Sequence, residues 1–374
     1  MGPLNGIRIV EIAGIGPTQF CGMLLADMGA QILRVRRPSA ADPGVDLPDR
    51  FNLMNRGRPT IDVDLKSDAG RGLVLRLCEE ADALFEGFRP GVMERLGLGP
   101  DECMAHNERL VYGRMTGWGQ DGPLAQRAGH DTNYIALAGA LHAIGHADRP
   151  PPVPLNLIGD FGGGALYLAM GLLAALLEAS RSGKGQVVDA AMVDGTASLL
   201  TLFYGLMAGG LWSEHRGSNL LDGGAPFARC YETRDGRYVA VCALETAFFA
   251  ALLDALSIGD IDPADQYDPE KWPAHHESLA RAFRTRTRDE WGELLRGVDA
   301  CATPVLTLAE AAEDAHGRAR GTYVDIEGIR QPGPAPRFSR TASEARRAPS
   351  DQRASALETA RQWGLSEDEI RRVL

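Results

Sequence analysis

Residues Ile7 to Val35 read "IRIVEIAGIGPTQFCGMLLADMGAQILRV". The segment Ile7 to Ile12 predicts a buried strand, because isoleucine and valine dominate it. A glycine-proline turn then leads into a helical pattern over Thr18 to Met28, and a second strand pattern starts at Gln31. The stretch is therefore predicted to be a β-α-β unit, from which parallel sheets are built.

The same alternation continues along the chain. Strand patterns occur at Thr60 to Asp64, Ala83 to Phe88 and Leu110 to Met115. Helical patterns lie between them, at Ser67 to Ala81 and Pro100 to His106. Strands that alternate with helices in this way predict an α/β fold with a Rossmann-like, doubly wound parallel sheet.

Two more apolar segments precede a glycine-rich boundary. Asp160 stands at the head of a long apolar helical pattern, and a strand in "GQVVDAAMVDG" leads to a second apolar helix from Thr196 to Met207. The stretch Arg216 to Pro226, "RGSNLLDGGAP", is typical of a domain boundary. We therefore predict a large domain over residues 1–200 and a linker over residues 201–225.

The region after the boundary predicts a different architecture. The segments "ARCYET" and "YVAVCAL" flank an Asp-Gly pair, which favours a tight hairpin between antiparallel strands. Helical patterns follow at Thr246 to Leu256 and at Glu277 to Val298. We predict a small α+β domain over residues 226–330. A C-terminal segment, 331–374, is expected to return to the large domain and to end in a short helix, Ser366 to Leu374.

Composition limits the classes of function. The chain has 374 residues, of which 44% are hydrophobic, and a net charge of −11. This acidic balance disfavours a nucleic-acid surface, which needs a stripe of lysine and arginine. The uncharged run Phe161 to Leu177 is shorter than the roughly 20 residues of a membrane span, so we expect a core helix. The N-terminal sequence does not resemble a secretory signal, which predicts a cytoplasmic protein.

Cysteine spacing argues against a metal or disulfide framework. The six cysteines contain no C-x-x-C pair, so no metal site is predicted and the thiols are expected to be buried. They are Cys21, Cys78, Cys103, Cys230, Cys242 and Cys301.

The first glycine-rich turn resembles only part of a dinucleotide fingerprint. Gly14 and Gly16 match the first two glycines of G-x-G-x-x-G, but Gln19 stands where the third would be. Arg36 and Arg37 occupy the place of the acid that binds the ribose of NAD. We therefore interpret the segment as a tight strand-to-helix turn and not as an NAD site.

Basic residues follow several of the predicted strands. Arg36 and Arg37, Lys66 and Arg89 each come after a strand, and Arg95 lies just beyond. The carboxyl ends of parallel strands form the ligand-binding edge of such a sheet. These side chains favour a ligand with several phosphates, which guanidinium groups bind well. Solvated surface charges are the alternative interpretation.

Three acid-base candidates stand in loops or at helix ends. His130 lies in "AGHDTNY", Asp160 precedes a glycine-rich helix, and Glu245 ends a strand of the second domain. A structural histidine, a helix-capping aspartate and a rim carboxylate are the alternatives. The flanking glycines would let a ligand approach the backbone near His130 and Asp160.

Motifs along nearly the whole chain resemble the family III CoA-transferases. The motifs are "GIRIVEIAGIGP", "GAQILRVRRP", "VDLKSDAG", "RPGVMERLGLGP", "GRMTGWGQDGP", "AGHDTNYIALAG", "NLIGDFGGG", "GKGQVVDAAMVDG" and "PAPRFSR". They span Pro3 to about Ser343 and are most similar to the 2-methylacyl-CoA racemase branch of that family. The resemblance implies a CoA thioester substrate, no prosthetic group, a role in fatty acid metabolism and an interlocked homodimer.

The resemblance also implies two possible roles for Asp160. In the transferase branch, the matching aspartate is a nucleophile that forms acyl anhydrides. In the racemase branch, it is the acid-base partner of the histidine that matches His130. Because His130 is present, we predict a racemase that exchanges the C2 proton of 2-methylacyl-CoA, with a CoA-transferase as the alternative.

Further roles follow from matching positions. Glu245 matches a glutamate that pairs with the catalytic histidine of the neighbouring subunit, and Asn156 matches a residue that supports the aspartate. Backbone N–H groups at the start of the Asp160 helix are expected to stabilise the enolate oxygen. The residues predicted to bind CoA are Arg37, Lys66, Arg89, Arg95, Gly129, Asp131 and Tyr134.

Overall fold

The computed structural model describes residues 2–38 and 47–371 of the chain. The end of the predicted C-terminal helix, residues 372–374, lies outside the described residues. The chain divides into two compact units. Unit 1 comprises Met1–Ala138, Pro154–Leu199 and His316–Leu374, and unit 2 comprises Gly139–Val153 and Leu200–Ala315. Both units are discontinuous in sequence, and the predicted domain boundaries stay a prediction.

Regular elements alternate along the chain. The strands are β1 (Arg8–Ile12), β2 (Gln31–Arg36), β3 (Thr60–Asp62), β4 (Ala83–Glu86), β5 (Val111–Thr116), β6 (Val187–Ala191), β7 (Ala228–Glu232), β8 (Tyr238–Cys242), β9 (Ala302–Pro304), β10 (Tyr323–Ile326) and β11 (Ile329–Pro332). The α-helices are α1 (Pro17–Asp27), α2 (Asp68–Glu80), α3 (Val92–Arg95), α4 (Pro100–His106), α5 (Asp131–Leu137), α6 (Ala140–Ala143), α7 (Leu166–Ser182), α8 (Met192–Leu199), α9 (Thr201–Ala208), α10 (Thr246–Ala255), α11 (Trp272–Phe283), α12 (Arg288–Leu295), α13 (Leu308–Glu313), α14 (Ala315–Arg320), α15 (Gln352–Gln362) and α16 (Glu367–Arg371). Short 3-10 helices cover Asp49–Phe51, Leu53–Asn55 and Pro263–Asp265, and a π-helix covers Leu157–Ala165.

Unit 1 is built on a six-stranded sheet. Its strand order is β3-β2-β1-β4-β5-β6, and every neighbouring pair is parallel. The prediction of a doubly wound parallel sheet is therefore confirmed. The order reverses between β1 and β4, and the carboxyl ends of these strands open the crevice in which such sheets bind ligands.

The first β-α-β unit folds as the sequence predicts. Gly16 has a φ of 54°, in the left-handed region, and it turns the chain from β1 into α1. Pro17 then occupies the first position of α1, where a missing N–H has no cost. The prediction of a tight strand-to-helix turn at this point is confirmed.

The helix that carries Asp160 differs from the prediction. It begins at Leu157 as a π-helix and continues as α7, and Asn156 occupies the N-cap position. Asp160 is therefore not a helix cap. A Cβ at Gly195 would lie 1.9 Å from the Gly163 carbonyl oxygen, so the π-helix and α8 pack backbone to backbone. Apolar spacing alone cannot distinguish a π-helix from an α-helix, and π-helical turns are frequent at functional sites.

The α7 helix packs on the sheet of unit 1. By length and composition, Leu157–Ser182 is long and apolar enough to cross a membrane. Leu168 and Leu172 are nonetheless fully buried, and both lie against Gly113 of β5, where a Cβ would come within 2.9 Å of each side chain. We therefore interpret this helix as a core element of unit 1, as predicted.

Unit 2 contains an antiparallel sheet of order β7-β8-β9. The Asp-Gly pair forms the predicted hairpin, with Gly236 at a φ of 72°. The predicted helix over Glu277 to Val298 is wrong, because α11 ends at Phe283 and α12 starts anew. Thr287 and Glu290 form a capping box at that start. Similarly, the predicted helix from Thr196 to Met207 is divided between α8 and α9.

The prediction that the six cysteines are buried is wrong for three of them. Cys21, Cys78 and Cys103 are buried, whereas the remaining three are exposed. Two of the exposed thiols belong to β7 and β8, whose side chains alternate between the core and the solvent. The exposed cysteines are Cys230, Cys242 and Cys301.

Candidate active site

A cavity of about 270 Å³ opens in unit 1 at the carboxyl ends of β4 and β5. Five residues predicted to act in catalysis or CoA binding line it: Arg89, Gly129, His130, Tyr134 and Asp160. The structure thus brings together the two predicted acid-base groups, which are separated by thirty positions in the sequence.

Asp160 lies on the first turns of the π-helix and is half-buried. This burial raises the pKa of its carboxyl group above the usual value. Asn156 opposes the rise, because its Nδ2 donates a hydrogen bond of 3.1 Å to Asp160 Oδ2. The charge of Asp131 adds to the rise, and His130 lowers the pKa. The protonated form of Asp160 is therefore accessible closer to neutral pH than for a solvated aspartate.

His130 precedes α5 and its side chain is exposed to the cavity. Its backbone N–H donates to Asn133 Oδ1 at 3.0 Å, which fixes the start of the helix. His130 and Asp160 line the same cavity, and the charge of His130 lowers the pKa of Asp160. The arrangement offers one imidazole and one carboxylate to a ligand in the same cavity.

Asp131 holds backbone groups beside the cavity, and its role in CoA binding stays a prediction. Its side chain is buried and does not line the cavity. Its Oδ2 accepts hydrogen bonds from the backbone N–H groups of Gly159 at 2.7 Å and Asp160 at 2.8 Å. Asp131 therefore holds the first turn of the π-helix. It also occupies two of the N–H groups that were expected to stabilise an enolate oxygen.

Gly16 is a site residue that the sequence did not reveal. A Cβ at Gly16 would lie 3.0 Å from Asp160 Oδ2. The turn after β1 therefore passes directly beside the carboxylate. The partial G-x-G pattern predicts a tight turn at Gly16. It does not indicate that the Asp160 carboxylate lies next to this turn.

Aromatic side chains form one wall of the cavity. Tyr134 donates its hydroxyl hydrogen to the Gly129 carbonyl oxygen. The rings of Trp118 and Tyr134 pack edge to face, with their centroids 4.7 Å apart. A Cβ at Gly129 would lie 2.7 Å from the Tyr134 ring. Burial raises the pKa of Tyr134 to about 12, with a contribution from the charge of Asp160. Tyr134 is therefore a neutral, positioned wall residue.

The predicted basic cluster is brought together only in part. A second cavity of about 470 Å³ lies beside the ends of β1 and β2, and Arg37 and Arg89 line it. It shares Arg89 with the first cavity, so the two adjoin. Arg36 also lines it, but its Nε lies 2.7 Å from Asp62 Oδ1. Lys66 and Arg95 line neither of these two cavities.

A buried ion network supports the loop between the cavities. Glu86 is fully buried, and its Oε2 accepts a 2.6 Å hydrogen bond from the backbone N–H of Phe88, which lines both cavities. Arg114 donates to Glu86 at 3.1 Å and to Glu94 at 2.7 Å. Burial raises the pKa of Glu86 to about 7. The sequence placed Glu86 within a buried strand and gave no indication of this support.

Glu245 belongs to unit 2, where it immediately precedes α10. Its side chain is exposed and does not cap the helix. Its negative charge contributes to the raised pKa of Tyr267, for which burial is the main cause. Its pairing with a histidine of another subunit stays a prediction.

Comparisons with known proteins show which family this chain belongs to. The chain is 43% identical over 370 residues to the alpha-methylacyl-CoA racemase of Mus musculus, covering 98% of this chain and 95% of the relative. It is 42% identical to the alpha-methylacyl-CoA racemase of Homo sapiens, covering 87% and 83%. A crystal structure of a CAIB/BAIF family protein from Brucella suis matches with a TM-score of 0.79 and 27% identity, covering 96% and 99%. Residues 4–352 match the model of CoA-transferase family III, and the chain belongs to that family.

Proposed function

We propose that this protein interconverts the 2R and 2S forms of 2-methylacyl-CoA thioesters. The observation that carries the proposal is that His130 and Asp160 line one cavity and interact electrostatically. The relatives with 42% and 43% identity are named racemases, and this supports the same reaction here. The substrate is then a CoA thioester. The site breaks its C2–H bond, which the neighbouring thioester carbonyl makes more acidic.

The proposed reaction uses the two groups as acid and base. One group in its basic form removes the C2 proton, and the other, in its protonated form, returns a proton to the opposite face of the enolate. The roles exchange for the opposite epimer. Each such group contributes roughly 10²- to 10⁴-fold to the rate. The raised pKa of Asp160 favours this exchange, because burial brings its protonated form closer to neutral pH.

The adjoining cavities suit the two ends of a CoA thioester. We propose that the acyl end enters the cavity of His130 and Asp160, while the phosphates lie toward Arg37 and Arg89. Guanidinium groups bind phosphate oxygens through paired hydrogen bonds. Lys66 and Arg95 are exposed, and their contribution to phosphate binding is part of this proposal.

We also propose that the active protein is a homodimer in which Glu245 acts on the histidine of the other subunit. An apolar face of α7 supports a second copy, because Leu166, Met170 and Leu177 are 49%, 59% and 55% exposed. Their spacing places them on one side of the helix, and exposed apolar patches of this kind mark interaction surfaces. A cytoplasmic location and a role in fatty acid metabolism stay predictions.

The decisive experiment follows the C2 proton. The purified protein is incubated in deuterated water with one epimer of a 2-methylacyl-CoA, with and without an acceptor acid. We expect deuterium at C2 and loss of optical purity in both mixtures. Asp160→Asn and His130→Ala should each slow racemisation by roughly 10²- to 10⁴-fold, because each group acts on one face of the enolate. Unchanged racemisation in either variant would contradict the assignment.

The same experiment separates the alternative. A CoA-transferase would use the Asp160 carboxylate as a nucleophile and would form an acyl anhydride with it. Ester exchange that requires the acceptor acid, leaves C2 unlabelled and is blocked by hydroxylamine would establish that reaction. The same carboxylate position serves both reactions, so the position of Asp160 alone does not distinguish them.

Coexpression tests the shared site. Glu245→Gln and His130→Ala are each expected to be inactive alone. A mixed dimer of the two variants contains one site with both wild-type residues if the site is shared, so it should recover up to half of the activity per active dimer. No recovery in a purified mixed dimer would place both residues in the same subunit's site.

A further inference from the structure

Three exposed cysteines lie on or next to the small sheet in unit 2. Cys230 lies opposite Ala240 in the pairing of β7 with β8. Cys242 ends β8, and Cys301 lies one residue before β9. Cys242 pairs with Ala228, two residues before Cys230, so the Cys230 and Cys242 side chains point to the same face. Both thiols are exposed, which makes this face the solvent side of the sheet, and the Cys301 thiol is also exposed.

Cys242 and Cys301 are direct cross-strand neighbours. Val241 pairs with Ala302 in the antiparallel ladder, and the backbone N–H of Cys242 donates to the Cys301 carbonyl oxygen at 2.9 Å. Cys301 itself leaves the ladder, because its φ of 46° lies in the left-handed region. The hydrogen bond nevertheless holds the two main chains side by side, and disulfides span Cα distances of about 4.4–6.8 Å. The backbone contact therefore permits a disulfide.

Cys230 provides an internal contrast. It lies opposite Ala240, so it is only a diagonal neighbour of Cys242. Diagonal positions of an antiparallel pair lie about 7–8 Å apart, beyond the range that a disulfide closes without backbone movement. The register therefore selects one pair among the three exposed thiols.

The electrostatic surroundings agree with this proximity. Desolvation raises the pKa of the Cys301 thiol, and the charges of Asp299 and Glu245 and the Cys242 thiol add to the rise. Cys301 thus has a smaller thiolate fraction than a solvated cysteine. Glu245 follows Cys242 by three residues, which places the pair beside the predicted partner of the catalytic histidine.

We propose that Cys242 and Cys301 are a modification site at which a small-molecule disulfide such as oxidised glutathione forms a reversible cross-strand disulfide. The Cys242 thiolate attacks one sulfur of oxidised glutathione, the S–S bond breaks, and one glutathione leaves as a thiolate that takes up a proton. The Cys301 thiolate then attacks the Cys242 sulfur and releases the second glutathione. Two protein thiols are oxidised and one glutathione disulfide is reduced to two thiols.

The backbone at Cys301 predicts that this disulfide is easily reduced. Its φ of 46° turns the Cys301 side chain away from the direction of a ladder residue. A disulfide needs Cβ atoms about 3.5–4.5 Å apart. Closing the bond therefore requires the backbone before β9 to move, and strained disulfides are the labile ones. The bond is expected to form at high ratios of oxidised to reduced glutathione and to reverse with excess thiol.

The test uses the full-length protein and reads the thiols directly, so it does not depend on the proposed reaction. The reduced protein is incubated with oxidised glutathione, alkylated and digested without reductant. We expect a peptide pair that joins Cys242 to Cys301, and accessible thiols that fall from the three exposed cysteines to one. Cys242→Ser and Cys301→Ser should each abolish the linked pair, whereas Cys230→Ser should retain it.

Three outcomes would overturn the proposal. They are glutathione adducts on both cysteines without the linked pair, a linked pair that contains Cys230, and a link that appears only between two copies of the chain. Because each serine variant changes one exposed side chain, circular dichroism of the variants confirms that they fold. If a variant does not fold, the peptide map of the parent protein still shows whether Cys242 and Cys301 are linked.

Discussion

Replacing Asp131 tests whether its carboxylate holds the catalytic aspartate in place. Asp131 Oδ2 accepts two backbone hydrogen bonds, from Gly159 and from Asp160. Hydrogen bonds to a charged acceptor are each worth about 1.5–3 kcal/mol. Since both Asp131 and Gly159 are buried, little solvent screening reduces these values. Asp131→Ala should therefore lower the free energy of unfolding by about 3–6 kcal/mol.

Asp131→Asn is the matched variant. Its carbonyl oxygen can still accept both N–H groups, but as a neutral acceptor, so the loss should be roughly half that of the alanine variant. It also removes a negative charge that raises the pKa of Asp160. The pKa of Asp160 should therefore fall in this variant. The limb of the pH-rate profile that reports Asp160 should move to lower pH.

Two assays measure these effects. Urea unfolding gives the free energy of unfolding, and hydrogen exchange of the peptide that contains Gly159 and Asp160 reports the two amides directly. In the alanine variant we expect faster amide exchange and a C2-deuterium exchange rate that falls by about 10²-fold, because a 1 Å displacement of a catalytic group costs about that much. An alanine variant with amide exchange like the parent's, and unfolding within about 0.5 kcal/mol of it, would refute this reasoning.

Three further predictions concern other supports of the site. Gly16→Ala forces a side chain into a left-handed backbone position beside Asp160. The free energy of unfolding should fall by about 1–2 kcal/mol, and the rate of C2-deuterium exchange by about 10²-fold. A normal exchange rate would contradict the close approach of Gly16 to the Asp160 carboxylate. Asn156→Ala removes a hydrogen bond that lowers the pKa of Asp160, so the Asp160 limb of the pH-rate profile should move to higher pH, with no movement as the contrary result. Burial raises the folded pKa of Glu86 from 4.5 to about 7. The protonated carboxyl group therefore stabilises the folded state fully below about pH 4.5. This contribution to the free energy of unfolding should fall by about 3 kcal/mol as the pH rises to 7. Urea titrations across that range should show the fall in the parent and not in Glu86→Gln.

The sheet was predictable because each of its elements carries a local signal. Isoleucine and valine mark β1, Ser67 caps α2, and Pro17 starts α1. The sequence also contains a capping box at Thr287, which marks a helix start inside the predicted helix over residues 277–298. Errors of this kind come from apolar periodicity, which can run through a break between two helices.

The supports of the site were not predictable because they join distant residues. The Asp131 carboxylate meets backbone groups 28 and 29 positions away, and the partner of Glu86 is Arg114 on the neighbouring strand. Arg36 resembled a ligand-binding residue, but the pairing of β2 with β3 places it against Asp62. Sequence patterns report which face of an element is buried, whereas these contacts depend on the register between elements.

The discontinuity of unit 1 has a consequence for the order in which the protein folds during synthesis. Trp363 is fully buried in the same core as Leu33 and Val35 of β2, and Thr60 of β3 donates its N–H to the Gln352 side chain. The first half of the sheet therefore lacks part of its cover until Gln352 and Trp363 leave the ribosome. A nascent chain stalled before α15 should expose this edge to chaperones and proteases, whereas the released chain should protect it.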